Sequence, residues 1–483
     1  MNSAAPVCDV LIRDVLAIDP GSGWSAKRVD IEIAAGHIVA VHPAGGSTSS
    51  AREVIEGRDR LLTPGFINAH THSPANVLKG IGDGADHKEF MWINQADTAG
   101  RSPDEIRLSA LVGAIEHLRH GTTTVIDHFP EQGFREADVE ALVEAYHSIG
   151  LRACVALRIF DAPYDDILPP SGFPADAGVA NPLAPCDADE QLALVESLAR
   201  KFDGGGSGRI RIFPAPSNPL RCSDRLLVGA SDLAKRLNLG VHTHLLETQI
   251  QSRLAYDRFG HSMVTHLDRL GVLNERLSCA HVIWVDEGDI SLLAHRRTTV
   301  VHNPESNLKI GAGFAPISKM LAAGVNVAVG TDGANTNDNL SMHEALRLAA
   351  ILPRPSEPDR KRWPSVSQAL SMGTAAGGRA LLDPSLGHIA AGAPADCVLY
   401  DLNHPTWTPL NNEAAQLLFS ESGSTVTTVL VGGRVVVDAG RFVDLDIEPI
   451  LQEARGVLRS TRQRNSSLSR AVQRITNDLL QHA

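Results

Sequence analysis

The feature that most constrains this chain is an alternation. Between residues 64 and 385, short β-branched apolar runs are separated by longer windows with helical periodicity. That pattern calls for parallel strands joined by helical crossovers, an α/β architecture. The strand-like runs are PGFINAHTH (64–72), TTTVIDH (122–128), RACVALRIF (152–160), RIRIFPAP (209–216), LGVHTHLLE (239–247), LSCAHVIWV (277–285), TTVVHNP (298–304) and NVAVGTDG (326–333). They number eight, enough to close a (β/α)8 TIM barrel. The window 102–121 is typical of the crossovers: Ser102-Pro103 reads as a helix start and Gly121 as its stop.

Both flanks read differently. Residues 7–62 break into short strands with Gly-rich turns, and a similar β-rich stretch returns in ADCVLYDL and TVTTVLVGGRVVVDAGRF. Val431-Gly432-Gly433-Arg434, set between β-branched runs, predicts a hairpin. The expected organisation is a barrel over 64–385, one small β-sandwich domain made from 1–63 and 386–445, and amphipathic helices over 446–483 interrupted by the serines near 466–469. The Pro/Gly-rich stretch 168–186 reads as a long loop near the barrel mouth.

Charge narrows the function classes. A net charge of −12 argues against phosphate-backbone binding, so no nucleic-acid partner is expected. The start MNSAAPVCDVLIRD lacks the basic and apolar regions of a signal peptide, and no run reaches the roughly 18 apolar residues of a membrane span. Six scattered cysteines without a CxxC pair read as reduced thiols. A cytoplasmic protein with no membrane partner is expected.

The histidines carry the chemistry. In a strand, residues i and i+2 face the same side, so His70 and His72 aim two imidazoles into one space at the end of the first run. That end of a barrel is where active sites lie. The fifth run closes on His242, His244 and Glu247, the sixth on His281, the seventh on His302-Asn303 and the eighth on Asp332. Imidazoles and carboxylates gathered at one end of several strands predict a site for a divalent ion such as zinc.

The motifs PGFINAHTH, GTTTVIDH, HTHLLET, AHVIWVD, HNPESNLKIGAGFAPI and GTDGANTND occur in this order across nearly the whole chain, and GHIAAGAPADCVLYD returns to the small sheet. Together they resemble the amidohydrolase superfamily, in the branch holding cytosine, guanine and S-adenosylhomocysteine deaminases and triazine hydrolases. The resemblance implies that His70, His72, His244 and Asp332 are metal ligands. It also implies that His242 is a neighbouring pocket or core histidine, and that Glu247, His281 and Asp332 are catalytic. Residues 209–218 contain no lysine to bridge a second ion, so one metal per subunit is expected, zinc first and iron second.

The activity that follows is metal-dependent hydrolytic deamination of an amino-substituted N-heterocycle of purine, pterin, pyrimidine or triazine type. Coordination lowers the pKa of bound water from about 15.7 to roughly 7, giving hydroxide at neutral pH. Asp332 is expected to take a proton from the nucleophile, Glu247 to protonate the ring nitrogen and help expel the amine, and His281 to polarise the attacked centre or steady the developing charge. The alternative is an amidohydrolase or chlorohydrolase that expels chloride, an alkylamine or an amide's amine by the same route. Trp92, His128, Phe129, Arg158, Ser217, Asn218, Asn303, Asn307 and Asn335 are the candidate substrate contacts, with Trp92 or Phe129 stacking on the ring. Segment 86–101 departs from the nucleoside-deaminase pattern, which argues against a nucleoside and leaves a free base, pterin, triazine or synthetic amide open. The resemblance further implies a homo-oligomer.

Overall fold

The computed structural model describes residues 7–130, 134–165, 167, 181 and 184–482. The expected long loop 168–186 lies largely outside them.

The two ends of the chain share one nine-stranded sheet. Strand Val7–Ala17 pairs antiparallel with Lys27–Ala34 and parallel with Ser50–Glu56. The ends meet where Arg60–Pro64 pairs antiparallel with Cys397–Asp401, which continues to Val426–Val431 and Arg434–Asp438. Alternate residues Val10, Ile12, Ile31, Ile33, Leu62, Cys397, Leu399 and Leu430 form a core of their own beneath this sheet. The hairpin predicted at Gly432-Gly433 is present. Val431 faces Arg434 across the turn, and both glycines have positive φ (55° and 72°), the conformation that suits a tight two-residue loop.

The run predicted as one strand over 64–72 is divided between two sheets. Arg60–Pro64 belongs to the terminal sheet, and Phe66–His72 starts a parallel sheet running through Thr122–Phe129, Arg152–Ile159 and Ile210–Pro216. Gly65 marks the change; a Cβ there would collide with the Thr123 side chain. A second parallel sheet orders Val241–Leu245, Leu277–His281, Thr299–His302 and Asn326–Val329.

Two seams join these sheets. Ile210–Pro216 lies beside Val241–Leu245, and the His244 N–H donates to the Ser217 carbonyl at 3.4 Å. At the other seam the eighth run is split: Asn326–Val329 pairs with Thr299–His302, while Asp332-Gly333 pairs with Thr71-His72. Asn68 clips that break, its Nδ2 donating to Thr331 Oγ1 at 2.7 Å while its Oδ1 accepts from the Thr331 N–H at 3.0 Å. Gly330 allows the approach, since a Cβ there would sit 2.7 Å from His70 Cβ and 2.6 Å from Asn303 Oδ1.

Helices cover the outer face because each has an apolar side to bury. In Asp224–Leu237 the buried apolar positions are Leu226, Leu227, Ala230, Leu233 and Ala234, the spacing of one helical face. Helix Pro103–Arg119 starts as predicted, with a capping box in which Ser102 and Glu105 satisfy each other's backbone N–H groups. The C-terminal region forms three helices, Ile447–Ala454, Val457–Arg464 and Ser466–His482. The serines near 466 begin the last helix instead of interrupting one. No helix among the described residues is long and apolar enough to cross a membrane.

Candidate active site

The strand ends bring the predicted histidines together. His70, His72 and His244 form one group able to share an ion, and His70, His281 and Asp332 form another, with ligand atoms within 4.8 Å of each other in each. The Nε2 atoms of His72 and His244 face each other at 3.3 Å. Asp332 Oδ1 lies 3.5 Å from His70 Nε2 and 3.3 Å from His72 Nε2. All of these side chains are buried or nearly so.

Their outer nitrogens are tied down. His72 Nδ1 donates to the His128 carbonyl at 2.9 Å and His244 Nδ1 to the Ser217 carbonyl at 2.7 Å. A carbonyl can only accept, so the proton sits on Nδ1 and the Nε2 lone pairs point inward. His70 Nδ1 lies 2.8 Å from His242 Nε2, and His242 Nδ1 lies 2.7 Å from Ser278 Oγ. His242 therefore supports His70 from behind, one of the two places expected for it. His70 Nε2 is buried without a hydrogen-bond partner. Neutral imidazoles with inward lone pairs, an orphaned Nε2 and one carboxylate are a donor set that fits a divalent ion.

Burial keeps the imidazoles neutral. It holds His70 down to about 3 and presses His128, His242 and His244 well below the usual histidine range. Burial alone would raise Asp332, but the neighbouring His70 and His72 imidazoles outweigh it and hold the carboxyl well below its ordinary value. Glu247 behaves alike: burial pushes it up, but His281, His87 and His244 outweigh that and hold the carboxyl well below its ordinary value. Backbone strain is present in the same place, with positive φ at Leu246 (49°), His281 (73°), Val282 (50°) and Asp332 (62°).

Above this floor opens a cleft of about 620 Å³, counting the space in its mouth. Glu247 lines it two residues beyond the strand Val241–Leu245, its Oε1 3.8 Å from His281 Nε2. His281 is fixed by Asn307, whose Oδ1 lies 2.9 Å from Nδ1, and its Nε2 is 3.9 Å from Asp332 Oδ2. Of the candidate substrate contacts, Arg158, Ser217, Asn218 and Asn335 line the cleft. Arg158 Nε donates to Ser217 Oγ at 2.8 Å.

The other candidates lie elsewhere. Trp92 and Phe129, expected to stack on a ring, are each 1% exposed and packed in the main core, so neither reaches the cleft. Trp92 faces inward because the helix His87–Thr98 turns Phe90, Met91 and Asn94 to the cleft instead. His128 packs edge-on against His244 at 4.5 Å between ring centroids, behind the floor. Asn303 and Asn307 contact His281 from behind and are absent from the cleft lining.

Sequence reasoning missed His87, Tyr164, Arg221 and Gln251, all on the cleft wall. His87 Nε2 is 3.1 Å from Glu247 Oε2. The capping pattern of Asp86 with Glu89 marks the start of its helix, but nothing local says which wall the helix forms. Arg221 lies 1% exposed with its guanidinium 3.8 Å over the Phe160 ring, a contact between residues 61 positions apart.

Parallel strands that focus imidazoles and a carboxylate beneath a cleft define a metal-dependent hydrolase. The chain belongs to the amidohydrolase family, whose model matches residues 61–436. It is 33% identical over 404 residues to a 5-methylthioadenosine/S-adenosylhomocysteine deaminase of Caldanaerobacter subterraneus subsp. tengcongensis, covering 83% of this chain and 86% of that one. Among solved structures it is similar to a zinc-bound adenosine deaminase from Xanthomonas campestris, with TM-score 0.84, 28% identity, and coverage of 95% of this chain and 100% of that one. A variant of atrazine chlorohydrolase from Arthrobacter aurescens, complexed with zinc and atraton, aligns with TM-score 0.85 at 25% identity, over 93% of this chain and 100% of that one.

Proposed function

We propose that the protein is a hydrolytic deaminase of an amino-substituted N-heterocycle, with one zinc ion held by His70, His72, His244 and Asp332. The observation that carries this reading is the pair of Nε2 atoms on His72 and His244, 3.3 Å apart with their proton-bearing nitrogens turned away, beneath a cleft walled by Glu247. Zinc in the two similar solved structures supports the choice of ion. Deaminase activity in the similar proteins, named for adenosine or its thioether derivatives, supports an aminopurine as the ring.

When bound, such an ion supplies a water acidic enough to attack near neutral pH. The chain's own groups then divide the proton work. Asp332 Oδ2 accepts from Ser306 Oγ at 2.5 Å and Oδ1 from the Gly333 N–H at 2.8 Å, so its carboxylate is held still beside His70 and His72. Glu247 rests as a carboxylate, so it takes one proton from the attacking water and passes it to the ring nitrogen, while Asp332 accepts that water's second proton, which leaves on the departing amine. His281, fixed through Nδ1, turns Nε2 to the space between the two carboxylates and steadies the attacking water there.

The two parallel sheets, joined at both seams, are read as one (β/α)8 barrel with the site at its C-terminal mouth. The terminal sheet is read as the small β-sandwich domain. We assign the protein to the cytoplasm as a homo-oligomer. The likeness to atrazine chlorohydrolase favours a second reading, in which chloride or an alkylamine leaves instead of ammonia.

A screen of the zinc-loaded protein against adenosine, 5′-methylthioadenosine, guanine, cytosine and atrazine tests both readings through released ammonia and chloride. Ammonia from a purine supports the first reading, and chloride from atrazine alone supports the second. Glu247→Gln should keep its metal while kcat falls by about 10²–10⁴. Near-normal turnover in that variant removes Glu247 from the mechanism.

A further inference from the structure

We infer that His87 is the positioning residue for Glu247, holding one carboxylate oxygen so that the other faces the reacting centre; this rests on the reading of Glu247 as the proton carrier. Glu247 stands on a strained tether. It follows Leu246, whose φ is 49°, and lies beyond the last strand residue, Leu245. Its backbone N–H is satisfied by Gln251 Oε1 at 2.7 Å, which fixes the main chain but not the carboxylate.

The two oxygens have different surroundings. Oε2 lies 3.1 Å from His87 Nε2, within hydrogen-bond reach, while Oε1 lies 3.8 Å from His281 Nε2, beyond it. Among the described residues, His87 is the side chain that hydrogen-bonds this carboxylate. Both partners are nearly buried, at 11% and 10% side-chain exposure, so water competes poorly for the bond.

With Oε2 engaged, the Glu247 carboxylate cannot spin freely, and Oε1 keeps its lone pairs toward His281 and the cleft. A proton received there is also presented there. His87 itself is placed by its helix, which starts at Asp86 through a capping box with Glu89. The far end of that helix is held by Arg462 on Asp97 and by Asn465 Nδ2 on the carbonyls of Ala96 and Ala99. The contact therefore joins a group at a strand end to a helix docked from elsewhere in the chain.

The test compares zinc-loaded wild type with His87→Ala, His87→Gln, Glu247→Gln and the double variant H87A/E247Q, on whichever of adenosine, 5′-methylthioadenosine, guanine, cytosine or atrazine the wild type turns over. His87→Ala should lower kcat by about 10- to 100-fold with KM and zinc content little changed. Glutamine, whose Nε2 carries N–H donors, should restore most of the loss. The double variant should be no slower than Glu247→Gln alone, because the contact acts through that carboxylate. A rise in KM at unchanged kcat would overturn the inference and make His87 a substrate ligand.

Near-normal turnover in Glu247→Gln would bring down the reading of Glu247 as the proton carrier. A crippled Glu247→Gln beside an unaffected His87→Ala would bring down this inference alone. Crystal structures supply a readout independent of turnover. Glu247 should hold one conformer in wild type and in His87→Gln but scatter in His87→Ala, and an unmoved carboxylate in His87→Ala would sink the proposal.

Discussion

The floor of the cleft and its wall are built in different ways. Floor groups stand on strand ends whose register fixes them: His244 pairs with Ala280, Leu245 with His281, and Asp332 with Thr71. The wall that carries His87, Phe90, Met91 and Asn94 is a single helix, placed by docking against the C-terminal helices. A strand ladder sets direction and spacing together, whereas a docked helix is only as well placed as its contacts. Damage to the floor should therefore remove the metal and the chemistry together, and damage to the wall should leave the metal and alter turnover.

The largest effect should come from the floor itself. His244→Ala removes an inward Nε2 whose partner nitrogen lies 3.3 Å away. Turnover should fall by at least about 10³-fold, the scale of a lost catalytic group. Elemental analysis should find the zinc content well below stoichiometric. Full zinc occupancy in this variant would break the contrast between floor and wall.

Next comes the layer behind the floor. Asp127 is wholly buried, with Oδ1 accepting from the Ser73 N–H and Oδ2 from the Tyr146 hydroxyl, both at 2.8 Å. Ser73 directly follows His72, so this carboxylate anchors the end of the strand Phe66–His72. Asp127→Ala strands two buried donors and should cost about 2–5 kcal/mol in chemical unfolding. Zinc affinity should weaken by about 10- to 100-fold. Unchanged affinity would mean that the ladder alone holds His72.

A pH-dependent effect concerns the helix Pro304–Lys309. Glu305 is raised from 4.5 to about 8, chiefly by burial and further by Glu344, while a hydrogen bond from Asn337 opposes the rise. A raised carboxyl favours the fold fully at low pH, where both states are protonated. As pH climbs from about 4.5 toward 8, the unfolded chain releases the proton first, and stability is lost across that window. Glu305→Gln should abolish the slope, so its stability relative to wild type should gain about 3–4 kcal/mol between pH 5 and 8.5. Parallel pH profiles for the two proteins would count against it.

These differences also mark what could be read from sequence. The strand-end histidines were legible because a period of two and a shared strand end are local facts: His70, His72, His244, His281 and Asp332 do converge. The hairpin at Gly432-Gly433 and the Ser102 cap were legible for the same reason. Trp92 was misplaced because a helix's rotation depends on what it docks against, and here Trp92 faces the core. His87 was missed because its partner, Glu247, lies 160 residues away. The divided runs at Gly65 and at Thr331 were hidden because continuous apolar sequence does not reveal which sheet each half joins.

The smallest expected effect tests the docking of the wall. Arg462 makes two 2.8 Å bonds to Asp97, whose side chain is 4% exposed while the arginine is 46% exposed. A half-exposed arginine gains little from the pair itself, so Arg462→Ala should cost about 1 kcal/mol or less. That small loss falls on the helix carrying His87, and it should appear as faster amide exchange over 87–98. Turnover should drop about threefold, less than a lost second-layer metal partner would cause, with zinc retained. Loss of zinc from Arg462→Ala would mean that wall and floor are one mechanical unit. Unaltered exchange would mean that Asn465, bonded to the carbonyls of Ala96 and Ala99, holds the helix by itself.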